Sequence, residues 1–133
     1  MEFAALGAWI LAAGAGGYLL VIWMLNGGRS TKVTRFPILV VVGHPLAAVG
    51  GLAVWIAYLI TGHAGYTWVA FAALLVVVLQ GFMLFTRWLV GGGGRHARGA
   101  EQAFPAAAVA IHGGVAVTTV VLVFLTALQV TRA

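Results

Sequence analysis

Four long apolar runs, at about residues 5–25, 37–60, 67–90 and 104–130, limit what this chain can fold into. Each is near or above the ~20 residues that an α-helix needs to cross the hydrocarbon core of a bilayer. Of the 133 residues, 63% are hydrophobic and only 7% are charged. A water-soluble domain carries about 25% charged residues, so this chain could not cover a surface facing water. The connections between the runs are short, which makes neighbouring spans antiparallel. The expected fold is all-α: a single domain over residues 1–133, an integral membrane four-helix bundle of up-down-up-down order.

The formal charge of +5 does not point to nucleic acid, because of where the charges lie. Arg29, Lys32 and Arg35 fall in the first connection, and Arg95 and Arg98 fall in the third beside Glu101. The second connection, "TGHAGY", has no Lys or Arg, and the amino terminus carries only Glu2. Cytoplasmic loops accumulate Lys and Arg, so connections one and three are expected inside a cell membrane and both termini outside. Arg132 alone runs against this pattern. The basic connections are suited to anionic lipid headgroups. The first run lacks a basic leader and is followed by the positive cluster, so it is expected to remain as a span rather than be removed as a signal peptide.

Two stretches read alike. "FPILVVVGHPLAAV" from Phe36 and "FPAAAVAIHGGVAV" from Phe104 each place a histidine eight positions after the Phe. "GYLLVIWMLNGGR" from Gly17 also aligns with "GFMLFTRWLVGGGGR" from Gly81. The expectation is two repeated two-helix units in the same orientation, related by an axis along the membrane normal. Pro37 and Pro105 suit the first turn of a helix, where a missing N–H costs nothing.

At 1.5 Å per residue, His44, His112, Gly17 and Gly81 all lie roughly 10–14 Å from the cytoplasmic ends of their spans. Spans two and four are diagonal in such a bundle, with axes about 11–14 Å apart. That gap suits two imidazoles with a metal atom between them. Gly17 and Gly81 on the other diagonal would leave room for the edges of a haem plane, and Gly14 and Gly16 would add to it. Arg87 and Arg35 are placed to meet haem carboxylates with charge-assisted hydrogen bonds. A membrane histidine is costly and carries a functional reading by default. The plainer alternative is that each ring bonds a backbone carbonyl, or the other ring, and only ties helices together.

In span count and in the residues His44, His112, Gly17 and Gly81, the chain resembles the four-helix transmembrane b-type cytochromes, in which paired histidines on two helices hold haem b. Many of these bind two haems through four membrane histidines, whereas the spans here hold two, enough for one haem. The resemblance implies one-electron transfer, with a quinone or a redox protein as partner and a homo-oligomer or larger complex as the setting. An electron-transfer protein is expected rather than a stand-alone enzyme. Haem storage, sensing or delivery is the alternative within the haem class. A small transporter and a structural subunit are the alternatives outside it.

The remaining residues offer less chemistry. There is no Cys, which excludes disulfides, iron–sulfur clusters and thioether-linked haem. Glu2 and Glu101 are the only carboxylate side chains and lie outside the spans, which argues against paired-carboxylate catalysis. His63 and His96 are expected to be solvated loop residues. Pro45 is expected to disturb span two by removing a helical hydrogen bond. Gln80 is expected to make an interhelical hydrogen bond. Trp23, Trp68 and Trp88, near span ends, are expected as interfacial anchors.

Overall fold

The structure, a computed structural model, describes residues 1–30, 34–91 and 99–133. Lys32, Gly92 to Gly94, Arg95, His96 and Arg98 lie outside the described residues. The described residues form four α-helices: α1 (Glu2–Leu25), α2 (Ile38–Thr61), α3 (Gly65–Gly91) and α4 (Ala106–Arg132). A short 3₁₀ turn, Ala100–Ala103, precedes α4, and no strand occurs among the described residues. The expected all-α class is therefore observed, and all four helices are long and apolar enough to cross a membrane. Helices of 24 and 27 residues are about 36–40 Å long, which exceeds the ~30 Å hydrocarbon core.

The helix ends follow local chemistry. Glu2 opens α1, where a carboxylate favours the positive end of the helix dipole. Gly62 ends α2 with φ 69°, a left-handed conformation that glycine adopts without a Cβ clash. Pro37 and Pro105 stand one residue before α2 and α4 in extended backbone, with ψ 125° and 126°, rather than inside the first turn. Pro45 lies within α2, and the helix continues through it.

α1 packs chiefly along α4, and α2 along α3. No described Cα of α2 lies within 8 Å of α4, and none of α1 within 8 Å of α3, so these are the diagonals. The first turn of α1 meets the last turn of α2, where the Tyr58 hydroxyl donates to Glu2 Oε2 at 2.7 Å. An apolar cluster of Ala5, Trp9, Trp55, Tyr58, Ala70, Leu74 and Val123 fills this end of the bundle. The Trp9 indole N–H donates to the carbonyl of Ala48 at 3.2 Å, giving a buried polar hydrogen its partner. Its ring lies so close to Gly51 that a Cβ there would sit 2.9 Å from Trp9 Cζ2.

A second cluster, of Trp23, Phe36, Val41 and Ala100, fills the opposite end. Here the connections depart from expectation. Glu101, expected in a water-facing loop, is fully buried. Its Oε2 accepts from the Thr34 hydroxyl at 2.8 Å, and its Oε1 accepts from the Arg35 backbone N–H at 3.0 Å. Trp23, expected to face the interface, is also buried, and its indole N–H donates to Thr34 Oγ1 at 3.0 Å. The first and third connections thus share one hydrogen-bond network, and that network requires a buried acceptor. The outer helix faces remain apolar, with Leu25 and Leu39 80% and 84% exposed. A surface of this kind suits lipid tails better than water.

Candidate functional site

His44 and His112 lie between the two apolar clusters, and the helices bring their rings together. The ring centroids are 6.2 Å apart with the planes at 74°. His44 Nδ1 is 3.0 Å from the carbonyl oxygen of Val77 on α3. His112 Nδ1 is 2.9 Å from the carbonyl oxygen of Ala12 on α1. A carbonyl only accepts, so each Nδ1 must carry the hydrogen. Each neutral ring then keeps its lone pair on Nε2. The carbonyls fix tautomer and orientation in the way that partners of metal-bound histidines do.

Each ring rests against a glycine one turn further along the helix that holds it. A Cβ at Gly16 would sit 2.9 Å from His112 Cε1 and 3.3 Å from its Nδ1. A Cβ at Gly81 would sit 3.2 Å from His44 Cε1. The glycines therefore make room for the imidazoles themselves. Gly17 does not meet a ring: it is exposed, with nothing within 4 Å of where a Cβ would stand. Gly16 takes its place, because successive helix residues point about 100° apart and only one of an adjacent pair can face a given neighbour. In the register that pairs Gly16 with Gly81, Ala12 pairs with Val77 and Trp23 with Trp88. Gly16→Val is expected to lower stability by about 1–3 kcal/mol through overpacking. Gly17→Val should stay within about 0.5 kcal/mol of the parent, with thermal unfolding midpoints in detergent as the measurement.

Arg35 and Arg87, expected beside haem carboxylates, are drawn to each other. Arg87 Nη1 donates to the Arg35 carbonyl at 2.9 Å. Both line a pocket at the end of the bundle with Arg29. Phe36 meets Phe104 beside this pocket at 6.0 Å between ring centroids. Gln80, beside Gly81, packs its amide over Gly43, where a Cβ would lie 3.0 Å from Nε2. Its Oε1 is buried without a partner among the described residues, so the interhelical bond expected of it is not made by that atom. His63 lies in the turn before α3 and its Nδ1 accepts from the Gly65 N–H at 3.1 Å, as suits an exposed loop residue.

The donor set limits what the pair could bind. Among the described residues no group of three or more His, Cys, Asp or Glu converges. Two imidazoles alone leave a bare divalent ion short of its usual four protein or water ligands. A porphyrin supplies four equatorial nitrogens and needs only the axial pair. Two imidazoles on opposite sides of one metal, bonded at about 2.0 Å each, have ring centres roughly 6 Å apart. The ring spacing and the lone pairs on Nε2 thus fit a haem between the two imidazoles, while the clearances at Gly16 and Gly81 serve the rings themselves. Comparison with known proteins adds no relative: no family model, no curated protein and no solved structure matches the chain.

Proposed function

We propose that the chain is a four-span, up-and-down membrane protein of two related two-helix units, whose His44 and His112 hold one haem b as axial ligands. The observation that carries this reading is the matched pair of Nδ1-to-carbonyl bonds, which keeps the lone pair of each ring on Nε2, with the ring centroids 6.2 Å apart. Equivalent contacts support the two-unit reading: Ala12 and Gly16 serve His112 as Val77 and Gly81 serve His44. A haem held by His44 and His112 would supply one-electron exchange. The protein's part is to fix both tautomers and to hold the rings against Gly16 and Gly81, between the two apolar clusters. The role that follows is electron transfer in the cell membrane, with a quinone or redox protein as partner. Both termini lie outside, following the basic connections.

A second reading rests on the same bonds. Rings that donate to Val77 O and Ala12 O also tie α2 to α3 and α4 to α1, as plain interhelical links do. The two readings differ only at Nε2. Absorption spectra of the protein purified in detergent, before and after dithionite reduction, separate them. A low-spin b-type spectrum is the expected result. A colourless preparation from cells supplied with haem precursor would leave only the structural tie.

A further inference from the structure

We propose that the pocket formed by Arg29, Arg35 and Arg87 is a binding site for a phosphate-bearing anion, separate from the histidine pair. The cavity measures about 330 Å³, and its lining among the described residues includes Arg29, Arg35, Arg87, Thr34 and the start of α2, with the Glu101 carboxylate already engaged by the Thr34 hydroxyl and the Arg35 N–H. Three arginines stay charged at any physiological pH. All three are exposed, so water screens their mutual repulsion, and an anion shared among them adds favourable contacts. Arginine forks match phosphate oxygens in pairs.

The start of α2 adds donors of its own. Pro37 and Ile38 line the cavity, and no side chain caps this helix. Val40 N–H and Val41 N–H both bond to Pro37 O, and Ile38, the first residue of the helix, lines the cavity. A helix N-terminus carries a partial positive charge that favours phosphate. The arginines and the helix end therefore point to the same ligand chemistry.

The pocket lies where the apolar belt stops. Ile38 at its wall and Leu39 just beyond it on α2 are among the exposed apolar residues that suit lipid tails. Thr34 and Arg35, on its other side, belong to a polar connection. That is the level of phospholipid headgroups, so a lipid phosphate and a soluble phosphate compound both meet the chemistry. Phe36 also lines the pocket and packs on Phe104, with ring centroids 6.0 Å apart.

The test uses the full chain, delipidated in neutral detergent, and native mass spectrometry with thermal unfolding as parallel readouts. Dioleoyl phosphatidylglycerol, dioleoyl phosphatidylcholine and inorganic phosphate are titrated separately. Phosphatidylglycerol is expected to bind and raise the unfolding midpoint. The triple variant R29Q/R35Q/R87Q is expected to bind it at least tenfold more weakly. R29Q alone, which removes only an exposed contact to the Met24 sulfur, should weaken binding about threefold and guards against a triple variant that fails to fold. A comparable effect of inorganic phosphate assigns the site to soluble compounds, and its absence assigns the site to lipid. Undiminished phosphatidylglycerol binding by R29Q and the folded triple variant overturns the proposal. So does loss of haem from the triple variant with phosphatidylglycerol binding intact, which would return the arginines to the haem carboxylates. These readouts need no bound haem, so failure of the haem reading leaves them interpretable.

Discussion

His44→Ala and His112→Ala are each expected to abolish the six-coordinate, low-spin spectrum of the haem-loaded protein. Removing one imidazole leaves the iron with a single protein ligand, which gives a high-spin spectrum or none. Haem retention should fall on the order of 100-fold, about 2.7 kcal/mol. The double variant should be little worse than either single one, because the two ligands act as a unit. Bonding of His44 and His112 to opposite walls, Val77 O and Ala12 O, means that neither ring can substitute for the other. If both single variants keep the low-spin spectrum, the axial pair lies elsewhere and the assignment is lost. If the protein is colourless and the variants only unfold more easily, the histidines are ties between helices.

Much of this arrangement is legible in the sequence, and the parts that are not share a physical cause. The four spans follow from apolar length alone, which needs no tertiary information. The histidine pair follows from the repeated Phe-Pro entry, because helix rise converts a shared spacing into a shared depth. The facing glycine does not follow. Gly16 and Gly17 are adjacent, and helices apolar on nearly all sides give no stripe to show which one turns inward. The same lack of a stripe hides Trp9 and Trp55, two of the largest fully buried side chains. Glu101 is hidden for a different reason. Its partners Thr34 and Arg35 are 67 and 66 residues away, so its burial depends on two connections meeting in space. The grouping of Arg29, Arg35 and Arg87 around one cavity likewise depends on the first connection meeting α3 in space.

Glu101→Ala is expected to be among the most destabilising single changes in the chain. The carboxylate is fully buried and accepts from two donors of the first connection. One of them, the Thr34 hydroxyl, is itself an acceptor for the Trp23 indole N–H and for the Phe36 backbone N–H at 3.1 Å. With both acceptor roles of Thr34 taken, its hydrogen has no outlet except Glu101. Alanine would leave that hydrogen and the Arg35 N–H, both part-buried, without their acceptor, each a loss of about 1–2 kcal/mol. The sum is on the order of 3 kcal/mol, enough to lower the unfolding midpoint by roughly 10 °C. Glu101→Gln keeps one acceptor oxygen but turns a donor toward one of the two donors, so it should recover about half of the loss. Thr34→Val removes the hydroxyl at the centre of the network and should be non-additive with Glu101→Ala. Thermal unfolding of the four proteins in one detergent measures the cycle. An unfolding midpoint for Glu101→Ala equal to that of the parent would mean that the carboxylate is hydrated, and that the two connections are not joined through it.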